Sequence, residues 1–425
     1  MDQGNTAFIL IAAALVLLMT PGLAFFYGGL VKAKSVISMM MMSFGALGLI
    51  GVLWVLYGYA IAFPTIEGTA PSPWLFDPAN FSLNAATADA AGPTGAYPTL
   101  AFAAFQATFA IITVALISGA IADRAKFGAW MVFAGIWATV VYFPVASWVF
   151  NFGLADDGTF SYGGWLTHGL QDVFGVGAID FAGGTAVHIN AGAAALALAL
   201  VLGKRVGFAK GVSVPHNPPF VLLGAGLLWF GWFGFNAGSE LAADGTASLA
   251  FVNTIAAPAA ALLAWLLVEK IKDGKPTSVG AASGAVAGLV AITPACGSLT
   301  PGWSIVLGLV AGAVCALAID LKFKLGFDDS LDVVGIHLIG GLIGTLFLGF
   351  FANGTGLVYS GEATQLLVQA IAAFSVLIYS FVLAFIIGYI IEKTMGFRIK
   401  NEDEIAGIDT VVHGEEGYVL VDAKA

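Results

Sequence analysis

Eleven long apolar stretches, separated by polar connections, constrain the fold of this chain more than any other feature. A helix needs about 20 mostly apolar residues to cross the hydrocarbon core of a bilayer, and each stretch is long enough. Charged residues make up only 10% of the 425 residues, too few to cover a water-facing surface. The sequence therefore predicts an all-α integral membrane protein with eleven transmembrane helices. The predicted spans are 6–31, 36–62, 99–121, 128–151, 181–203, 218–238, 248–268, 278–296, 303–321, 331–352 and 365–393.

The positions of the basic residues predict the orientation of these spans. All 16 lysines and arginines fall in the odd-numbered connections or after the last span. Basic connections remain on the cytoplasmic side of a membrane, so the N-terminus is expected outside and the C-terminus inside. The net charge of −10 comes from acidic groups in loops and in the tail, which argues against nucleic acid as a partner. The basic residues are Lys32, Lys34, Arg124, Lys126, Lys204, Arg205, Lys210, Lys270, Lys272, Lys275, Lys322, Lys324, Lys393, Arg398, Lys400 and Lys424.

Two histidines, His188 and His337, lie inside apolar stretches. An imidazole in a membrane interior is costly unless it has a partner or faces a cavity. The span of His188 starts outside near Asp180, whereas the span of His337 starts inside near Asp332, so both rings approach mid-membrane. One interpretation is that each ring separately bonds a nearby carbonyl. Their matched depth favours a shared site, and hence a pore that uses neutral imidazole.

The spans predict the following domain organisation. Each histidine helix closes a five-helix half, which indicates two inverted repeats with a site between them, as in many transporters. The membrane domain is expected over 1–394, with repeats at about 1–203 and 218–352 and a last helix over 365–394. Residues 395–425 are expected to form a cytoplasmic regulatory tail.

The stretch around His188 reads Asp180-Phe-Ala-Gly-Gly-Thr-Ala-Val-His188-Ile-Asn-Ala-Gly192, and Asp180 is placed to cap the start of a helix. It resembles the signature of the Amt/Mep/Rh ammonium transporter family, and the bacterial Amt-type transporters are the closest likeness. Further motifs in matching order extend the resemblance over nearly the whole chain. They are Pro21-Gly-Leu-Ala-Phe-Phe-Tyr-Gly-Gly29, Phe105-Gln-Ala-Thr-Phe109-Ala-Ile-Ile-Thr113, Gly231-Trp-Phe-Gly-Phe-Asn-Ala-Gly-Ser239, Thr293-Pro-Ala-Cys-Gly297, Asp328-Asp-Ser-Leu-Asp332-Val-Val-Gly-Ile-His337 and Gly407-Ile-Asp-Thr-Val-Val-His-Gly-Glu415.

The resemblance implies a role for individual residues. It implies that His188 and His337 are the paired pore histidines, and that Trp232 lines the pore. It implies an outer ammonium site, a stacked phenylalanine gate, and a supporting role for the Asp180 carboxylate. The outer site would contain Phe105, Phe109, Phe150 and Ser239, and the gate would contain Phe109 and Phe235.

Two features depart from the family pattern. Phe150 stands where the family usually has a tryptophan, and phenylalanine attracts a cation less strongly than tryptophan does. Trp148, two residues earlier, faces another side of the helix and is not expected to replace it. The external connection 152–179 is also longer than in compact bacterial members. Local packing and a lid over the pore mouth both stay open as its role.

Ammonium suits such a pore because it can lose a proton and become a small neutral molecule. A charge at mid-membrane costs several kcal/mol, whereas neutral ammonia avoids most of this cost. An apolar passage would therefore reject potassium. Two neutral histidines can share one N–H···N bond and still offer a donor and an acceptor to a passing molecule. Net transfer of one charge with each ammonia, by separate routes, is the favoured hypothesis.

The tail and the competing hypotheses complete the prediction. Gly407, Asp409, His413, Gly414 and Glu415 resemble the family's regulatory C-terminus, which implies a homotrimer in the inner (plasma) membrane and docking of a PII-type regulator. The alternative is an ammonium sensor with little flux. A metalloenzyme is disfavoured, because two histidines do not complete a catalytic zinc site. The protein is thus expected to be a transporter without enzymatic activity or a cofactor.

Overall fold

The computed structural model of the protein describes residues 1–64, 78–84, 90–154, 160–208, 211 and 214–418. Lys210, Lys424 and the end of the tail fall outside these residues. Within them, ten helices are long and apolar enough to cross a membrane, and an eleventh apolar helix is shorter. In chain order the helices are α1 Gln3–Leu30, α2 Ala33–Ala62, α3 Thr99–Ile121, α4 Phe127–Phe150, α5 Gly184–Leu202, α6 Pro218–Glu240, α7 Gly245–Lys272, α8 Ser278–Ile292, α9 Pro301–Leu325, α10 Val334–Phe351 and α11 Thr364–Thr394.

The short helix is α8, which has 15 residues where the sequence predicts a span over 278–296. It ends at Ile292 and continues as turns through Pro294, a residue that cannot donate a backbone hydrogen bond. A helix of this length covers about 22 Å, less than the roughly 30 Å of a hydrocarbon core. The molecule is therefore a helical, multi-pass membrane protein with ten clear candidate spans, and the eleventh stays a prediction.

The helices pack closely because small residues face each other where they cross. The longest contact runs between α1 and α6. There an added Cβ at Gly224 would lie only 2.2 Å from the backbone nitrogen of Phe26. Such contacts are the usual way for helices to associate in lipid, where apolar side chains gain little by leaving the solvent. Last in the chain, α11 crosses both α5 and α10.

The basic connections bond to one another and so share one side of the molecule, here called the basic face. Arg205, just after α5, donates to Asp328 just before α10, with 2.9 Å between Nη2 and Oδ1. It also pairs with Asp123 in the connection between α3 and α4, at 3.1 Å. Burial alone raises the pKa of Asp328, but the Arg205 guanidinium outweighs burial and holds that pKa below its usual value. This network ties together the ends of the two histidine helices. Which side of a membrane the basic face occupies stays a prediction, as do the inverted repeats.

The loop between α4 and α5 contains the strands of the described chain. Strands β1 (Phe152–Leu154) and β2 (Phe160–Gly163) form a short antiparallel hairpin. A turn at Trp165–Gly169 and a short helix at Leu170–Phe174 lead toward Asp180. The Trp165 ring packs at 5.5 Å from Trp148, so this part of the loop packs against α4. A cavity of about 320 Å³ remains between the loop and Asp180.

The tail packs on its own chain at the basic face. A short helix, Asn401–Ala406, is followed by a turn at Asp409–His413. The two carboxylate oxygens of Asp409 accept bonds from the amides of Ile37 and Ser38 at 3.0 and 2.7 Å, at the start of α2. Burial raises the pKa of Asp409, although these amide donors oppose the shift. The tail is thus anchored to the start of α2 of the same chain.

Candidate functional site

The site is formed where α5 and α10 cross at very short range. An added Cβ at Gly192 would lie 2.5 Å from the backbone nitrogen of Leu338, and one at Gly341 would lie 3.0 Å from the carbonyl oxygen of Gly184. Real Cβ atoms essentially never come as close as the first distance, so any side chain at Gly192 would push the helices apart. Glycine at these positions lets the two helices meet backbone to backbone.

Each helix carries its histidine in a π-helical turn. The turn in α5 covers Gly184–Ile189 and the turn in α10 covers Val334–Leu338. Single π-turns inside α-helices are rare and are frequent at functional sites. The two turns bring the Nδ1 atoms of His188 and His337 to 3.2 Å from each other, with both rings buried and nearly stacked.

The Nδ1–Nδ1 hydrogen bond fixes complementary tautomers of the two rings. One Nδ1 must carry the proton and the other must accept it, so one Nε2 is a donor and the other an acceptor. The Nε2 of His188 is buried and has no hydrogen-bond partner among the described residues. The pair can therefore offer at least one unused polar atom to a molecule in the pore.

A carboxylate caps each histidine helix at the same distance before the histidine. Asp180 lies eight residues before His188, and its Oδ2 accepts from the Thr185 amide at 2.9 Å. Asp329 lies eight residues before His337, and its Oδ2 accepts from the Val334 amide at 2.7 Å. Burial raises the pKa of both carboxyls above their ordinary value, that of Asp329 to about 6, while the amide donors lower it.

The sequence offers Asp328, Asp329 and Asp332 as caps of the second histidine helix, and the structure assigns the cap to Asp329. Asp332 has a positive φ of 63°, and its carboxylate pairs with the buried Lys322 at 2.5 Å. The Asp328 carboxylate forms an ion pair with Arg205 instead of capping the helix. The repeated eight-residue spacing between aspartate and histidine is readable from the sequence and would have identified Asp329.

An aromatic cluster lies next to the histidines on the side opposite the basic face. The Phe109 and Phe235 rings are stacked, with centroids 4.2 Å apart and planes at 25°. Phe105 meets Phe109 edge-on at 4.8 Å, and Phe150 lies 6.3 Å from Phe109. Ser239 is one helical turn after Phe235 and donates its hydroxyl proton to the Phe235 carbonyl at 2.8 Å. The structure thus brings all five of these residues together.

Trp148 does not join this cluster. Its ring packs against Tyr379 at 4.7 Å and against Trp165 at 5.5 Å. Phe150 therefore occupies the position nearest Phe109 on α4.

A narrow apolar cavity is lined by Phe235 of the stacked pair and by both histidines. Its volume is about 10 Å³, the space of one water-sized molecule. The Trp232 ring stacks on His188 at 5.5 Å, and its Nε1 donates to Thr293 at 2.9 Å. The bond to Thr293 fixes the indole and was not predictable from the sequence. The other lining side chains are Met19, Leu23, Phe26, Ile112, Leu116, Val187, Leu228, Phe235, Val286 and His337.

The tail residues lie apart from this cavity, at the basic face. Gly407 has φ +131° and packs against the side chain of Lys34, whose Nζ donates to the carbonyl of Ile405. The His413 ring meets Phe127 at 5.4 Å. Gly414 ends the turn with φ +67°, and Glu415 is exposed.

Comparison with known proteins gives one consistent family. The model of the Ammonium Transporter Family matches residues 7–418. An ammonium transporter of Mycobacterium bovis is 54% identical, over 98% of this chain and 90% of the relative. The crystal structure of Candida albicans Mep2 superposes with a TM-score of 0.81 at 32% identity, covering 95% of this chain and 88% of that one. A solved structure described as a sensor Amt protein gives a TM-score of 0.85 at 27% identity, covering 96% and 98%.

Proposed function

Because the chain belongs to the ammonium transporter family, we propose that it captures ammonium at the aromatic cluster and conducts it as ammonia past the two histidines. The observation that carries the proposal is the one-molecule apolar cavity that is lined by both His188 and His337. A passage of this size and polarity admits neutral ammonia and leaves no room for the water shell of a potassium ion.

Capture begins at Phe105, Phe109, Phe150 and Ser239. Aromatic ring faces attract a cation by about 0.5–2 kcal/mol, depending on how far it is desolvated. Ser239 adds a hydroxyl oxygen as an acceptor. The negative charge of Asp180, which three backbone amides hold at the start of α5, would support a positive charge at this site.

The stacked Phe109 and Phe235 rings form the gate between the cluster and the cavity. Passing this gate as a cation would cost at least about 2.5–3.5 kcal/mol at mid-membrane. Ammonium escapes that cost by leaving its proton behind, which potassium cannot do. The pore thus selects ammonium over potassium because ammonium can lose a proton, and not because the two ions differ in size.

Beyond the gate, His188 and His337 take over the hydrogen bonds of the substrate. Ammonia has one lone pair and three N–H donors, and the histidine pair offers both a donor and an acceptor. We propose that the proton crosses by a separate route. One net positive charge then crosses the membrane with each ammonia.

An ammonium sensor is the second candidate, and the likeness to the solved sensor Amt protein favours it. In that case ammonium would bind at the aromatic cluster with little flux, and the tail would transmit the signal. Proteoliposomes separate the two functions: a sensor would bind ammonium yet give neither a current nor ammonia uptake at saturating concentrations.

For the tail we propose regulation of transport. Residues 395–418 are held against the start of α2 by Asp409 and against Val206 by Glu404. A soluble partner that displaced these contacts would act on the ends of helices at the basic face. We propose that this face is cytoplasmic, that the partner is a PII-type protein, and that the protein works as a homotrimer in the inner membrane without enzymatic activity. These last points rest on the family resemblance.

The test compares ammonium-driven current in proteoliposomes containing wild type and the double variant His188→Ala/His337→Ala, with potassium as competitor. Wild type is expected to give a current that excess potassium does not reduce. The double variant is expected to lose this selectivity, because a larger and wetter cavity replaces the rings. If the folded variant matched wild type in current and in potassium resistance, the role of the histidines would be disproved.

A further inference from the structure

The last helix, α11, carries a buried polar face that the proposed transport path does not use. Gln365, Gln369 and Ser380 are each at most 1% exposed, although the helix is among the most apolar of the chain. A buried amide that lacks hydrogen bonds costs free energy, so these side chains must be fully bonded. Apart from one bond between the two glutamines, their partners lie on the backbone of segments that position the site.

The side-chain amide of Gln369 bonds both backbone groups of Ile179, as the backbone of a neighbouring β-strand would. Its Oε1 accepts from the Ile179 amide at 2.7 Å, and its Nε2 donates to the Ile179 carbonyl at 2.8 Å. Ile179 directly precedes Asp180, the carboxylate that caps α5. Gln365 extends the contact by donating to the Gly177 carbonyl at 3.0 Å and to Gln369 Oε1 at 3.2 Å. The approach to Asp180 is thus held by side chains of α11.

The same Gln369 amide also reaches the other histidine helix. Its Nε2 donates to the Thr345 carbonyl of α10 at 3.1 Å. The Thr345 hydroxyl lies 3.4 Å from the hydroxyl of Thr185, whose backbone amide donates to Asp180. One glutamine therefore joins the start of α5, the Asp180 cap and the body of α10.

A second contact lies beyond His188. The Ser380 hydroxyl donates to the Asn190 carbonyl at 2.7 Å, two residues after the histidine. Gln369 and Ser380 thus hold α5 before and after its π-turn. Bonds to the backbone on both sides of the π-turn hold the turn in place and so fix where the histidine points.

We propose that Gln369 is a positioning residue for ammonium capture, which sets Asp180 and the relative placement of α5 and α10. This inference rests on the proposed ammonium transport, since it concerns how well that site holds its substrate. If Gln369 is removed, the segment that carries Asp180 can shift and the two helices can separate. The expected loss is therefore in apparent affinity and selectivity, and not only in the amount of folded protein.

Gln369→Leu tests the proposal, because leucine fills similar space and makes none of the four hydrogen bonds of the Gln369 side chain. Gln369→Glu is the graded variant: burial keeps the new carboxyl protonated, so it can still accept from the Ile179 amide and donate to one of the two carbonyls. Asn253→Leu is the matched control. Asn253 is an equally buried amide in α7 that donates to the carbonyls of Cys296 and Leu299, at 2.7 and 2.8 Å.

The readouts are the ammonium concentration for half-maximal current, the maximal current per folded protein, and inhibition by potassium. Gln369→Leu should raise the half-maximal concentration at least fivefold and make the current sensitive to potassium. Gln369→Glu should show a smaller rise, and Asn253→Leu should stay within twofold of wild type. The proposal is overturned if both leucine variants merely reduce the yield of folded protein, or if both raise the half-maximal concentration equally.

If Gln369→Leu does not fold, Gln369→Glu alone tests the proposal. A Gln369→Glu protein with the half-maximal concentration and the potassium resistance of wild type would also overturn it. A wild-type protein that carries no ammonium current would instead refute the proposed function, which is a distinct result.

Discussion

Replacing Gly192 by alanine is the sharpest test of how the two histidine helices meet. The new Cβ would lie 2.5 Å from the Leu338 nitrogen, 2.6 Å from its Cβ and 2.7 Å from its Cα. Ordinary van der Waals contact begins at 3.4 Å. The backbone of α10 must therefore move by about 0.9 Å, because no flexible side-chain end is available to give way.

Leu338 directly follows His337, so this movement acts on the histidine pair. The two Nδ1 atoms are 3.2 Å apart, and a displacement of this size along their line would exceed hydrogen-bonding distance. Overpacking of this kind costs about 1–3 kcal/mol of stability. A misplacement of about 1 Å in an active constellation can cost roughly 100-fold in rate. We expect Gly192→Ala to fold and to lose about 10- to 100-fold of the ammonium current.

Gly226→Ala is the matched control, because an added Cβ there has no atom within 4 Å. It introduces the same methyl group into a spanning helix and should leave the current unchanged. Currents per folded protein in proteoliposomes, with thermal unfolding of both variants in detergent, give the comparison. If Gly192→Ala carried wild-type current within twofold, the argument that backbone contact at Gly192 sets the histidine pair would be wrong.

Two further changes test other parts of the site. Phe150→Trp should lower the ammonium concentration for half-maximal current about two- to fivefold, since tryptophan binds cations more strongly than phenylalanine. An unchanged dependence of the current on ammonium concentration would speak against a cation site at Phe150. The pKa of Asp329 is raised from 3.8 to about 6 in the folded protein, so its ionisation disfavours the folded state, and its contribution to stability falls as pH rises from about 4 to about 6. An asparagine side chain cannot ionise but can still accept from the Val334 amide. The melting temperature of Asp329→Asn minus that of wild type should therefore rise from about pH 4 to about pH 6 and then level off. A difference that stays constant with pH would contradict the assignment.

Much of the architecture follows from the sequence because apolar length alone decides it. The helices and the multi-pass membrane class follow directly from runs of about 20 apolar residues. The shortened α8 was not predicted, because the hydropathy of 278–296 continues past the residue where Pro294 replaces helix with turns. Periodicity also gives no sign of the π-turns, whose stability depends on contacts with other helices.

The site was predictable only where its chemistry is local. Asp180 precedes its helix by a few residues, so its capping role can be read from the sequence. The partners of Gln369 lie 190 residues away at Ile179 and 24 residues away at Thr345, and no local pattern connects them. The sequence does not separate Asp329 from Asp328 and Asp332 as the cap of α10, because the positive φ of Asp332 and its pairing with Lys322 are properties of the folded chain.

The π-turns have a consequence for how such a pore can change over evolution. Each turn of this kind contains one residue more than an α-helical turn, and one residue corresponds to about 100° of rotation around a helix. Deleting a single residue from Gly184–Ile189 would restore the regular pitch and swing His188 out of line with His337. Point substitutions can tune this histidine pair, but a one-residue insertion or deletion upstream would abolish it in one step, so the length of each segment is as much a functional property as its composition.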